Sequence, residues 1–217
     1  MSNIQHWLHS EAGYQHVNED AVIVRPHPEN PQALLCCLAD GQGGQVGGAA
    51  AAQIAAEESM KAAFSFPAKD LFDEVAWYGI VSAADEAVCE EDAAGFATLI
   101  SLCVSEHQLC GASCGDSGAL LLSGGREWIL TENQRKNPPV GSSAASPVAF
   151  SVRLQPDWKL LVMSDGVWKY VGWDNITRIA ATQSGEPLIA SLRQAALDAN
   201  GGKLDDDFSI ALLQHGV

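Results

Sequence analysis

The stretch Ala33-Leu34-Leu35-Cys36-Cys37-Leu38-Ala39-Asp40-Gly41-Gln42-Gly43-Gly44 joins an unbroken apolar run to an aspartate and a glycine-rich turn. A short continuous apolar run bounded by turn residues predicts a buried strand. Beyond the turn, Val46 to Phe64 is dense in alanine, the strongest helix former, and predicts a helix. A second helix is expected from Ala68 to Glu91. There Leu71, Val75, Tyr78, Val81, Ala84 and Val88 recur at three- and four-residue spacing and define one apolar face.

Working outward, Ala21 to Arg25 reads as a short strand on the upstream side. Downstream, Ala97 to Val104 and Leu109 to Cys114 flank the turn Ser105-Glu106-His107-Gln108. Ala119 to Leu122 and Glu127 to Leu130 flank Ser123-Gly124-Gly125-Arg126. Such short connections predict antiparallel hairpins. Glu132 to Ser146 is polar and rich in Gly, Pro and Ser, hence a surface loop. Val148 to Leu154 and Leu160 to Met163 read as strands, and Ser209 to Leu213 as the last one. Asp174 to Ala181 and Pro187 to Ala199 read as helices, the second with proline in its first turn. Segregated helices and antiparallel hairpins give an α+β fold: a sheet sandwich with helices outside.

The chain has 217 residues, 47% of them hydrophobic, with neither a linker nor a repeat, which predicts one domain over residues 1–217. The formal net charge of −15 sets it against phosphate backbones and anionic membrane surfaces, so neither nucleic acid nor membrane is an expected partner. No segment approaches the roughly 18 apolar residues of a membrane span. Met1 to Glu11 lacks the basic and apolar regions of a signal peptide, so a cytoplasmic location is expected. The cysteines Cys36, Cys37, Cys89, Cys103, Cys110 and Cys114 lie mostly in apolar runs and read as reduced thiols. Cys110 and Cys114 are placed on one face of a strand.

Chemistry concentrates at strand ends. One apolar strand ends in Asp40-Gly41, another in Ser164-Asp165-Gly166, and the last strand begins just after Asp206-Asp207. Glycine lets the backbone turn sharply and approach a ligand. Asp-Gly is also an ordinary turn dipeptide. Three such aspartates together with Asn18-Glu19-Asp20 point further, because clustered carboxylates repel one another unless a cation neutralises them. Hard oxygen ligands suit Mg2+ or Mn2+.

In these residues the sequence resembles the metal-dependent serine/threonine protein phosphatases of the 2C type (PP2C, or PPM), in a compact bacterial form. The matching blocks are Asn18-Glu19-Asp20, Leu38 to Gly44, Ala97-Thr98-Leu99, Cys114-Gly115-Asp116-Ser117, Ser164-Asp165-Gly166-Val167-Trp168 and Asp206-Asp207-Phe208-Ser209. They follow the family order and span residues 12–215. The resemblance implies a four-layer α-β-β-α sandwich, two antiparallel sheets flanked by helix pairs, with two Mn2+ or Mg2+ ions per chain in a cleft at one end. It implies that Asp40 bridges both ions, that the Gly41 carbonyl binds one, and that Asp165 and Asp206 hold the second. Glu19 and Asp20 would bind metal or position its waters, and Asp116 would orient the strands near the site. The implied reaction is hydrolysis of phosphoserine or phosphothreonine in a phosphoprotein, the substrate of a Ser/Thr kinase. Water activated by the two cations attacks phosphorus in line, and no cysteine nucleophile takes part.

The sequence also departs from that pattern. Gln15 stands where the family carries an arginine that clamps phosphate, and an amide lacks the charged bidentate fork. Arg135 and Lys136 are candidate replacements. Asn133 stands near an aspartate that helps bind a third metal in many members. Gln42 replaces a histidine that some members use as a leaving-group acid, and the short segment between Leu130 and Val148 implies a reduced substrate flap. Three functions follow as expectations: an active protein phosphatase, a degenerate phosphatase serving as a phosphoprotein-binding regulatory module, and a small-molecule phosphomonoesterase with an open cleft. Oligomeric state is not legible.

Overall fold

The computed structural model describes residues 4–14, 17–42 and 47–216. Ten strands form two antiparallel five-stranded sheets. The first sheet runs β1 (Ile4–Glu11), β10 (Phe208–His215), β9 (Lys159–Met163), β6 (Gly118–Ser123), β7 (Arg126–Ile129). The second runs β2 (Asp20–His27), β3 (Asn30–Asp40), β4 (Leu99–Val104), β5 (Gln108–Cys114), β8 (Val148–Arg153).

The alternation of side chains along each central strand builds three layers of core. In β3, Leu34, Cys36 and Leu38 face the other sheet, where they meet Leu160 and Val162 of β9 and Ala211 and Leu213 of β10. Leu35, Cys37 and Ala39 face the opposite way, under α1 (Gly48–Phe64) and α2 (Glu74–Glu90). The outer faces of β9 and β10, with Leu161, Met163, Ile210 and Leu212, are covered by α3 (Asp165–Val171), α4 (Trp173–Thr182) and α5 (Gly185–Ala199). Strands buried on both faces have to be apolar throughout, which accounts for the run Ala33 to Ala39. Each fully buried leucine contributes about 2 kcal/mol of hydrophobic stabilisation. The alanines of α1 let that helix lie close on β3, with Ala51, Ala52, Ala55 and Ala56 wholly buried. The observed class is therefore the expected α+β sandwich of the PP2C type. Among the described residues no helix is long and apolar enough to cross a membrane.

The structure corrects four local expectations. Ile4 to Glu11, for which no strand is expected from the sequence, is an edge strand paired along its length with β10. The second helix begins at Glu74, because Asp73 caps it by accepting the Val75 N–H and a short 3-10 turn (Asp70–Phe72) precedes it. Its buried face also differs from the expected one. Val75 and Tyr78 point to solvent, while Trp77 and Ile80 enter the core with Val81, Ala84 and Val88. Finally, Asp165-Gly166 opens a helix, α3, so three helices rather than two cover the outer face of the first sheet.

Candidate metal centre

The strand ends bring the acidic residues together. Asp20 opens β2 and Asp40 closes β3, and the two are direct partners in the antiparallel register. On the other sheet, Met163 at the end of β9 pairs with Ile210 near the start of β10. Asp165 and Asp206 therefore leave their strands at the same edge. The Asp165 N–H points at Asp40 Oδ2 across 3.5 Å, one of the polar links between the two sheets at this end. Asp40, Gly41, Gln42, Glu19, Asp165 and Asp206 line one cavity of about 450 Å3. Asp20, the register partner of Asp40 on the neighbouring strand, is not part of that lining. Gln15, the expected clamp position, lies outside the described residues, as do Gly43 and Gly44. Asn133 sits on an exposed turn outside the cavity lining, whereas Lys136 lines it and Arg135 does not.

Backbone bonds fix this edge. Thr98 holds Asp40 from both sides: its N–H donates to Asp40 O at 2.8 Å, and its Oγ1 accepts the Asp40 N–H at 3.0 Å. The Gly41 N–H donates to Glu19 O at 3.0 Å, and a side chain at Gly41 would collide with Gly48, whose carbonyl would lie 2.4 Å from the added carbon. Asp207, which sequence reasoning passed over, accepts the Gly13 N–H at 2.8 Å and the Glu19 N–H at 2.6 Å. It thereby ties the start of β10 to the segment that carries Glu19.

The electrostatics are those of crowded carboxylates. Burial, then the charges of Asp20, Asp165 and Asp206, push the Asp40 carboxyl up to about 9. Burial pushes Asp20 up to about 7 against the pull of the Ser209 and Ser164 hydroxyls. Those hydroxyls are committed elsewhere: Ser209 Oγ lies 2.7 Å from Ser10 Oγ, and Ser164 Oγ donates to the Asp207 carbonyl at 3.2 Å. Both Asp20 oxygens are buried without a hydrogen-bond partner. Burial and the charge of Asp165 also raise Asp206.

A buried carboxylate without partners is costly, and a divalent cation bound through oxygen relieves that cost. The donor set, carboxylates plus the Gly41 carbonyl, consists of hard oxygens and fits Mg2+ or Mn2+. Yet among the described residues no three His, Cys, Asp or Glu side chains already surround a common point. Lys169 supplies one reason. On α3 one turn after Asp165, it hydrogen-bonds the Asp165 carboxylate and lies 3.6 Å from Asp116 Oδ2. Burial pulls the Lys169 ammonium down, but the Asp165 hydrogen bond and the charges of Asp165, Asp116 and Asp206 leave it above its ordinary value. Lys136 reaches the same Asp116 Oδ2 at 3.1 Å. The four-residue spacing of Asp165 and Lys169 would have signalled their pairing had the segment been read as a helix. The Asp116 carbonyl accepts the Trp168 indole N–H at 3.0 Å.

Comparison with known proteins adds to this. A family model described as Stage II sporulation protein E (SpoIIE) matches residues 30–216. No curated protein sequence matches. Among solved structures, a bacterial serine phosphatase variant is 23% identical, with a TM-score of 0.84, covering 99% of this chain and 100% of its own. The serine/threonine phosphatase Stp1 from Staphylococcus aureus is 21% identical, with a TM-score of 0.80, covering 97% and 94%. The catalytic domain of the serine threonine protein phosphatase PstP, solved with two manganese ions, is 20% identical, with a TM-score of 0.80, covering 99% of both chains. At these identities the likeness is one of fold.

Proposed function

Because the chain belongs to the SpoIIE family, a PP2C-like family, we propose that residues 1–217 form one phosphatase domain that hydrolyses phosphoserine or phosphothreonine in a phosphoprotein with Mn2+ or Mg2+ as cofactor. The observation that carries this reading is the meeting of Asp40, Asp165 and Asp206 at one cavity, with the unpartnered Asp20 carboxyl paired in register with Asp40. Asp40, Asp165, Asp206 and the Gly41 carbonyl are the residues that would hold the metal, with Glu19 and Asp20 adding to its shell. When bound, such ions supply Lewis acidity, lowering the pKa of water and neutralising charge on phosphoryl oxygens.

The chain's own part is positioning. Thr98 fixes the Asp40 backbone, Asp207 fixes that of Glu19, and the Asp165 N–H points toward Asp40 from the opposite sheet. Gln42, its N–H bonded to Phe96 O at 2.8 Å, lines the cavity where an amide can donate to a phosphoryl or leaving oxygen. The substrate would be the product of a Ser/Thr kinase, and the setting a bacterial cytoplasmic signalling pathway.

The test is hydrolysis of an aryl phosphate and of a phosphoserine peptide by the pure chain with Mn2+ or Mg2+, with Asp165→Asn as control. Turnover lost with chelator and lost in the variant is expected. Absence of turnover with either metal sinks the enzymatic reading. A second reading, a phosphoprotein-binding module without turnover, draws on one observation: Lys169 already neutralises Asp165. Tight phosphopeptide binding with no release of phosphate would favour it. A small-molecule phosphomonoesterase would turn over free phosphoserine as well as the peptide.

A further inference from the structure

The described lining of the cavity carries seven carboxylates, and only two cations, Lys136 and Lys169. A dianionic phosphoryl group entering it meets repulsion from every titratable wall except the one these lysines form. They arrive from different elements and gather on one atom, Asp116 Oδ2, at 3.1 and 3.6 Å. Two ammonium groups sharing one carboxylate oxygen repel each other and keep unspent N–H donors, since each carries three. A second anion beside them relieves the repulsion and takes those donors.

Both lysines are held in place. Lys169 is fixed by helix α3 and by its bond to Asp165. Lys136 lies on a loop anchored at two points. Val140 exchanges backbone bonds with Ala97, both 3.0 Å. The buried Asp85 of α2 accepts the N–H groups of Gly141, Ser142 and Ala145 at 2.7, 3.1 and 3.3 Å.

We propose that Lys136 and Lys169, gathered on Asp116, form the phosphoryl-recognition wall of this cavity and bind the dianionic group of a phosphomonoester. This rests on the phosphatase reading for the identity of the substrate, not for the binding itself. In it, Asp116 is a positioning residue, and Lys136, with its head more exposed than that of Lys169, makes the contact that opens toward an incoming peptide.

The test is calorimetric titration of inorganic phosphate into the Mg2+-loaded chain. Lys136→Ala is expected to weaken binding by about tenfold, and Lys136→Ala with Lys169→Ala by about a hundredfold, the loss of one and two charge-assisted contacts. Lys136→Arg is expected to restore most of the binding. Arg135→Ala, which removes the same charge from the neighbouring position outside the cavity, is expected to leave it unchanged. Phosphate binding that survives in Lys136→Ala, or that Arg135→Ala weakens equally, overturns the proposal. So does the absence of phosphate binding by the unsubstituted chain. Lysine-dependent binding without turnover of an aryl phosphate upholds the wall and removes the phosphatase reading. Turnover with an unchanged KM in Lys136→Ala does the reverse.

Discussion

Asp20 and Asp40 face each other directly across the β2–β3 pair, two carboxyl groups in register, and among the described residues neither Asp20 oxygen has a hydrogen-bond partner. Like charges opposite each other destabilise a sheet, and burial magnifies the effect. The Asp40 carboxyl, ordinarily at 3.8, is pushed up to about 9, so between those values the folded chain retains a proton that the unfolded chain releases. Its contribution to stability falls as pH rises through that window. Asp40→Asn removes the cost. Without metal at pH 7 the variant is expected to melt roughly 5 °C higher than the parent, a gain of about 2 kcal/mol. Added Mn2+, which should raise the Tm of the parent, is expected to leave the variant unmoved and inactive. Thermal unfolding with and without MnCl2 checks both; a lower metal-free Tm in the variant contradicts the prediction.

Glu11 and Arg193 tie β1 to α5 by two bonds of 2.6 Å. The Arg193 hydrogen bond, opposed by burial and aided by His9, lowers the Glu11 carboxyl from 4.5 to about 2. A depressed carboxyl adds stability above its unfolded value, and that stability is lost as pH falls toward the folded one. Because both side chains are about a third exposed, solvent screening reduces the gain to about 1 kcal/mol. Urea unfolding should show Glu11→Gln weaker than the parent by that amount at pH 7. The gap is expected to close as pH drops from about 4.5 to about 2, and a gap independent of pH would show that the pair does not matter.

Asp85 holds the loop that follows the cavity. An amide there accepts through one oxygen only, so Asp85→Asn should cost about 1–2 kcal/mol and Asp85→Ala about 3 kcal/mol. Hydrogen exchange at the Gly141, Ser142 and Ala145 amides is expected to speed up in both variants. Unchanged protection there would contradict the tether.

Two glycines should respond oppositely to alanine. At Gly41 an added carbon would lie 2.4 Å from Gly48 backbone atoms, so Gly41→Ala is expected to lose more than about 3 kcal/mol or fail to fold. Gly79, on the solvent side of α2, has nothing within 4 Å of that position. Gly79→Ala is expected to stabilise by about 0.5–1 kcal/mol through helix propensity and a less flexible unfolded chain. Denaturant midpoints of the two variants decide the matter.

Much of this was legible beforehand, and what was not has physical reasons. β3, β9 and β10 stood out because strands covered on both faces must be apolar at every position. β1 did not, since an edge strand half open to solvent tolerates His6, His9 and Ser10. Helix α3 hid behind Asp165-Gly166, a dipeptide that opens turns as readily as helices. The buried face of α2 was misread because Val75 and Tyr78 continue a plausible stripe from Leu71, whereas the face that packs carries Trp77, Ile80, Val81, Ala84 and Val88. The aspartates proposed to hold metal were visible as strand-end residues. The ion pairs of Lys136 and Lys169 with Asp116 were not, because one lysine comes from a loop and no local pattern encodes where a loop folds back.

Asp20 and Asp40 are strand residues of one sheet, and Asp165 and Asp206 flank strands β9 and β10 of the other. What separates the two pairs is a layer of interdigitated aliphatic side chains, Leu38 and Val162 among them. The thickness and offset of that greasy layer therefore act as a calliper on the ionic radius the mouth can grip. Repacking it, far from any oxygen ligand, would retune the preference between small octahedral ions and larger ones.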